Sequence, residues 1–264
     1  MIITPAYLKK GDTVAIVCPA GYMPAEKVQT CVTTLMKWGY SVKLGTTVAG
    51  KSATYFSGTD AERLADLQQV LDDSNVKAVL FGRGGYGTGR IIEQIDFNKF
   101  IEYPKWIIGF SDITVLHSHI HRHFGISTLH APMAGAFNDG GADDEYVLSL
   151  KDALEGITSA YSGPDHPFNK LGTASGQLVG GNLALLAHLV GTNSGLIIGG
   201  FSDCKDMERP FGKTVFEIIR DIVEEYNYPI CYDFPVSHTA KNYALKIGQE
   251  YQLKIDSTGA VLAE

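Results

Sequence analysis

Over the first 130 positions the apolar residues come in two alternating textures. Short solid runs, "TVAIVCPA" (13–20), "VKAVLFG" (76–82) and "WIIGFS" (106–111), have the length and continuous apolar character of strands buried on both faces. Between them lie spaced patterns. Leu64, Leu67 and Leu71 recur at helical intervals in "AERLADLQQVLDD", a segment that Asp60 is expected to cap. An amphipathic stretch opened by Pro24 and stopped near Gly39 precedes a second strand, "YSVKLG". Helical patterns at "GRIIEQI" and "DITVLHSHIHRHF" precede and follow "WIIGFS", and "STLHAPM" supplies a further strand. Strands separated by helices predict right-handed crossovers and a parallel sheet covered on both faces, an α/β domain. Loops leaving the carboxyl ends of such strands gather in one crevice, so the glycine-rich loop after "VKAVLF" and the "GFSD" turn are expected to lie together.

The texture changes at "SAYSGPDHPFNKLGTASG" (159–176), where Pro, Gly, Ser and Asn cluster. A linker at 161–173 is therefore expected between an α/β domain of residues 1–160 and a smaller, β-rich domain of residues 174–264. The second part reads as a short strand "GQLVG", a helix "NLALLAHLVG", a strand "LIIGGF", a helix over 213–226, a strand "PICYDF" and two or three alternating strands over 243–262.

Composition narrows the function classes. The 264 residues are 45% hydrophobic and 19% charged, as in an ordinary soluble globular protein. Lys and Arg number 22 against 29 Asp and Glu, a net charge of −7 with no long basic run, which argues against nucleic acid as a partner. No apolar stretch approaches the ~20 residues that cross a bilayer, and "MIITPAYLKKGD" lacks the features of a signal peptide, so no membrane association and a cytoplasmic location are expected. Cys18, Cys31, Cys204 and Cys231 show no C-x-x-C spacing and read as buried reduced thiols.

Two stretches carry candidate chemistry. "GRGGYGTGR" (82–90) spaces Gly82, Gly84 and Gly87 as G-x-G-x-x-G, but it follows the third strand rather than the first, and Asp96 comes too early to hold a ribose. A tight turn, or backbone amides offered to an anion or a developing oxyanion, are the other readings. "GFSDI" partly matches the G-x-S-x-G nucleophile elbow, with Ile113 in place of the closing glycine. Ser111 or Asp112 could equally cap the following helix. His117 with His121, and His119 with His123, are i, i+4 pairs on different helix faces without H-E-x-x-H, and read as packing or solvated residues rather than metal ligands. His238, in "FPVSHTAKN", taken alone is a loop histidine.

Taken together, "GDTVAIVCPAG", "FSGTDAERLADL", "GRGGYGTGRII", "IIGFSDITVLH", "LHAPM", "GQLVGGNLALLAHLVGT" and "FPVSHTAKNYALKIG" resemble, in order, the LD-carboxypeptidase family of serine peptidases, which includes the microcin C immunity peptidases. The resemblance implies a flavodoxin-like amino-terminal domain, a smaller β-rich domain and a site between them. It implies Ser111 as nucleophile, His238 as general base, and the amides of Gly85 and Asp112 as the oxyanion hole. It also implies a murein peptide as substrate, a homodimer, and no metal or organic cofactor. One departure stands out. The family places a strand bearing the triad's acid between the "GGNLALLAHLVGT" helix and the strand matching "LIIGGF", whereas here "GTNS" (191–194) runs straight into it, as if a few dozen residues were absent. Glu208 and Glu217 match other family positions, leaving the acid unassigned. Three readings follow: an active LD-carboxypeptidase, an immunity-type peptidase acting on a peptidyl nucleotide, and an inactive muropeptide-binding protein.

Overall fold

The computed structural model describes residues 2–50, 52, 54–182, 195–201 and 212–264. Its main sheet is built from β1 (Thr13–Val17), β2 (Ser41–Leu44), β3 (Val76–Phe81), β4 (Trp106–Gly109) and β5 (Thr128–His130), parallel in the order β2-β1-β3-β4-β5. This is the flavodoxin-like order, and its reversal point lies between β1 and β3. Period two sorts the strand residues between two apolar layers. Val14 and Ile16 pack with α1 (Ala25–Lys37) and with Val147, Leu150 and Leu154 on one face. Ala15 and Val17 pack with α2 (Asp60–Asp72) and with Leu116 and Ile120 on the other. Both faces are covered, which explains why these strands are apolar at nearly every position.

Two local expectations are corrected. The cap of α2 is Thr59 rather than Asp60: the Thr59 hydroxyl accepts from the Glu62 amide at 3.2 Å, and the Glu62 carboxylate accepts from the Thr59 amide at 2.8 Å. This reciprocal box satisfies two terminal amides at once and frees Asp60 to pair with Arg63 and Arg90. The stretch "GRIIEQI" forms two 3₁₀ turns, Thr88–Arg90 and Ile92–Gln94, instead of a helix. A threefold repeat aligns Ile92 with Ile95, and both are buried.

Further along are α3 (Asn98–Glu102), α4 (Thr114–Phe124), α5 (Phe137–Gly140) and α6 (Glu145–Glu155). A smaller antiparallel sheet then forms from β6 (Ala160–Gly163), β7 (Gly172–Gln177), β11 (Glu250–Asp256) and β12 (Gly259–Ala263), ordered β6-β12-β11-β7. Parts of β6 and β7 thus lie within the stretch whose composition marks a linker. β8 (Leu196–Phe201) and β9 (Ile230–His238) make a separate parallel pair, packed with α7 (Val215–Val223). The expected helix at "NLALLAHLVG" falls, from residue 183 onward, outside the described residues, as does Cys204, whereas Cys18, Cys31 and Cys231 are buried free thiols.

The chain's late return to the main sheet is not visible in the sequence. β10 (Leu245–Ile247) pairs antiparallel with β5, matching Leu245 to His130 and Ile247 to Thr128. Lys246 is only 2% exposed, and its ammonium meets the Glu264 carboxylate at 2.8 and 2.9 Å. A lysine inside a strand suggests a wet face, yet this one is buried because a countercharge, Glu264, reaches it from 18 residues further on.

Candidate active site

The carboxyl ends of β3 and β4 bring the two candidate stretches together. Directly after β4, Ser111 sits at φ 61, a left-handed conformation that is uncommon for a residue with a side chain. Neither Ser111 nor Asp112 caps the helix that follows: no side-chain cap is present at the 3₁₀ turn Ser111–Ile113 or at the start of α4. The strained turn instead directs the Ser111 hydroxyl at His238, with Oγ 3.0 Å from Nε2. Asp112 is buried, and its carboxylate accepts from the Thr88 amide at 2.8 Å, tying the serine turn to the glycine-rich loop.

That loop lies against the serine. A Cβ on Gly84 would stand 3.1 Å from Ser111 Cβ and 3.4 Å from its Oγ, so only a hydrogen fits between them comfortably. Gly85 holds φ +109, and a Cβ there would collide with the Tyr55 hydroxyl, which accepts from the Tyr86 amide at 3.1 Å. Among the described residues no acceptor pairs with the amide of Gly85 or Asp112, leaving both donors available. Arg63, fully buried, braces the loop from beneath by donating to the carbonyls of Gly87, at 3.1 Å, and Pro19. The G-x-G-x-x-G spacing therefore accompanies close packing onto Ser111, followed by 3₁₀ turns in place of the helix that a dinucleotide's phosphates would need.

His238 ends β9 and is half-buried, its ring edge-on to Phe110 at 5.4 Å between centroids. Burial holds its pKa below the ordinary 6.5, so the ring is neutral near pH 7 and free to accept a proton. Nδ1 lies 3.2 Å from the Ser237 hydroxyl. Among the described residues no carboxylate comes within 4.0 Å of either ring nitrogen. Glu217 is occupied in a capping box at the start of α7, accepting from the Thr214 amide at 2.7 Å, and Glu208 lies outside the described residues.

The other histidines have structural surroundings. His117 is fully buried with Nε2 2.9 Å from the Gly109 carbonyl, and burial pushes its pKa down to about 4. His130, beneath Phe110, is pushed down to about 3, again mainly by burial. The His119 and His123 rings lie 4.5 Å apart between centroids, tilted at 42°. Among the described residues no group of three His, Cys, Asp or Glu could hold a metal ion, and no helix is long and apolar enough to cross a membrane. Sequence reading overlooked Arg63, the Asp112 carboxylate and Ser237. Arg63 had a faint signal, a cation three residues after Asp60 on α2, whereas the other two contacts depend wholly on tertiary approach.

Comparison with known proteins gives consistent family matches along the chain. Residues 14–131 match the LD-carboxypeptidase N-terminal domain and residues 193–253 the LD-carboxypeptidase C-terminal domain. A probable murein peptide carboxypeptidase of Bacillus subtilis is 31% identical over 301 aligned positions, spanning 98% of this chain and 93% of the relative. Since 98% of this chain is about 259 residues, about 42 of those positions carry no residue of this chain, in keeping with the expected absence of a few dozen residues. The place where that absence is expected, 191–194, is outside the described residues. A murein tetrapeptide carboxypeptidase of Pseudomonas aeruginosa is 34% identical over 192 positions, spanning 69% of this chain and 62% of the relative. Among solved structures, the muramoyltetrapeptide carboxypeptidase of Oxalobacter formigenes shares the fold at TM-score 0.82 and 23% identity, covering 95% of this chain and 98% of that one. A microcin C7 self immunity protein shares it at TM-score 0.83 and 19% identity, covering 98% of each chain.

Proposed function

Since the chain belongs to the LD-carboxypeptidase family, we propose that it is a serine carboxypeptidase in which Ser111 is the nucleophile and His238 the general base. The observation that carries this reading is the 3.0 Å approach of a strained serine's hydroxyl to the nitrogen of a neutral imidazole supplied from 127 residues away. In the reaction, Ser111 Oγ attacks the carbonyl carbon of the scissile bond while its proton passes to His238 Nε2. The carbonyl oxygen, now carrying negative charge, is held by the amides of Gly85 and Asp112. Collapse of this intermediate breaks the C–N bond, and the imidazolium gives its proton to the leaving amine. Water, deprotonated by the same imidazole, then releases the acyl group and regenerates Ser111. No metal or organic cofactor enters these steps.

The substrate in this reading is a murein tetrapeptide, cleaved at its L,D bond to release D-alanine during peptidoglycan recycling in the cytoplasm, by a protein that forms a homodimer. Relatives named as murein carboxypeptidases at 31% and 34% identity favour this substrate over the peptidyl nucleotide of an immunity-type peptidase. The test is D-alanine release from purified murein tetrapeptide by the full chain, with a peptidyl nucleotide assayed in parallel. Release that Ser111→Ala abolishes is the expected result. Cleavage of the nucleotide substrate alone would assign the immunity-type activity, while muropeptide binding without fluorophosphonate labelling of Ser111 would make the protein a binding protein. Gel filtration with light scattering tests the dimer.

A further inference from the structure

A neutral imidazole has one N–H. For Nε2 of His238 to accept the Ser111 proton, that N–H must be on Nδ1, and an acceptor facing Nδ1 holds that tautomer. Among the described residues, the atom facing Nδ1 is the Ser237 hydroxyl oxygen at 3.2 Å. We propose that Ser237 is the positioning residue for His238, with its hydroxyl oxygen accepting from Nδ1–H in the place where serine peptidases otherwise keep a carboxylate. The proposal rests on the assignment of Ser111 and His238 made above.

The backbone argues for the same role. Ser237 holds φ 82, so it is one of four non-glycine residues with positive φ among the described residues, and Ser111 is another. Such conformations persist where surrounding contacts over-determine them. Here the Ser237 amide donates to Asn242 Oδ1 at 2.8 Å, and Asn242 is itself 3% exposed. The Tyr243 amide donates to the Pro235 carbonyl at 3.0 Å, closing the loop around the histidine. Glycine would adopt this φ without strain, so keeping a serine here retains a hydroxyl at an energetic cost. The other titratable group acting on this ring among the described residues is His130, which is buried and neutral.

A hydroxyl orients the ring but carries no charge to stabilise the imidazolium, which separates this role from that of a carboxylate. Ser237→Gly removes the hydroxyl and relieves the backbone, so folding is retained, and a melting curve checks this. Expected is a fall of about 10–100-fold in kcat with KM within about twofold, and a parallel fall in the rate at which a fluorophosphonate labels Ser111. Ser237→Asp, a residue type that tolerates positive φ, places a carboxylate near Nδ1. It should restore labelling and move the acid limb of the labelling rate to higher pH, since a neighbouring negative charge raises the imidazole pKa. Nitrogen-15 NMR of the wild-type chain should show His238 protonated on Nδ1. Ser237→Gly labelling at the wild-type rate, or a proton on Nε2, would overturn the proposal while leaving the peptidase assignment intact. A wild-type chain that neither labels nor releases D-alanine would instead overturn the assignment beneath it.

Discussion

β4, which delivers Ser111, is flanked by β3 and β5 and buried at every residue, whereas β9, which delivers His238, has among the described residues one full-length neighbour, β8. Helices cover both faces of the first support. The second relies on α7 and a cluster of aromatic side chains, Phe168, Phe201, Phe216 and Tyr232 among them. Its pairing register also shifts at Gly199 and Gly200, just before Gly200 meets Ser237 and Phe201 meets His238. Parallel strands ordinarily lie deep inside larger sheets, and a two-stranded unit is weak by itself. Among the described residues, Ser111 is thus fixed by the bulk of the fold, while His238 is fixed by a thin layer and by its own loop.

Removing either partner should have the largest effect. Ser111→Ala and His238→Ala are each expected to lower kcat for D-alanine release by about 10⁶-fold, and the double variant no further, because the two groups act as a unit. A double variant far worse than either single one would separate them. Next comes Gly85→Ala, which strains φ and strikes the Tyr55 hydroxyl. Displacing one oxyanion donor should lower kcat by about 10²–10³-fold, and adding Tyr55→Ala should recover part of it by removing the collision but not the backbone strain.

The two supports themselves can be compared through core truncation. Ile108→Ala in β4 is expected to cost about 2–5 kcal/mol in denaturant unfolding. Ile198→Ala in β8, a 6% exposed site, should fall near 2 kcal/mol yet reduce kcat at least as much as Ile108→Ala does. Equal losses of activity and stability at both sites would erase the contrast. The last test is of pH. His117 and His130 stay neutral in the fold down to about 4 and about 3, while the unfolded chain protonates near 6.5. The stability that this difference contributes is complete above pH 6.5 and is lost as pH falls through 6.5 toward about 4 for His117 and about 3 for His130. The acid limb of kcat/KM, set by His238, should lie below pH 6.5. Thermal melting and rate profiles across pH 4–8 check both.

Much of this was legible in the order of residues. The solid apolar runs of β1, β3 and β4 announce strands covered on both sides, and the glycine loop and "GFSD" turn follow from where such strands end. The pairing of Ser111 with His238 was legible only through family resemblance, because no periodicity links positions 127 residues apart. Other features escaped for physical reasons. Asp60 and Thr59 are both good caps, and the choice fell to Thr59 because Glu62 stands three residues after it. β10 has a central lysine that hides its burial, and its partner Glu264 lies 18 residues further on, beyond two intervening strands. Ser237 looks like an ordinary loop serine until its φ and its neighbour's ring nitrogen are seen.

The strand β10 also sets a leash. Only six residues, 239–244, separate the end of β9 from a strand locked into the sheet edge beside β5, seven Cα steps that could span at most about 25 Å if drawn straight. Folded back by the Tyr243–Pro235 bond, they reach much less. The imidazole therefore cannot swing away on a long hinge while peptides come and go. The strand that carries the histidine stays tied, through this short connection, to the sheet that carries the serine.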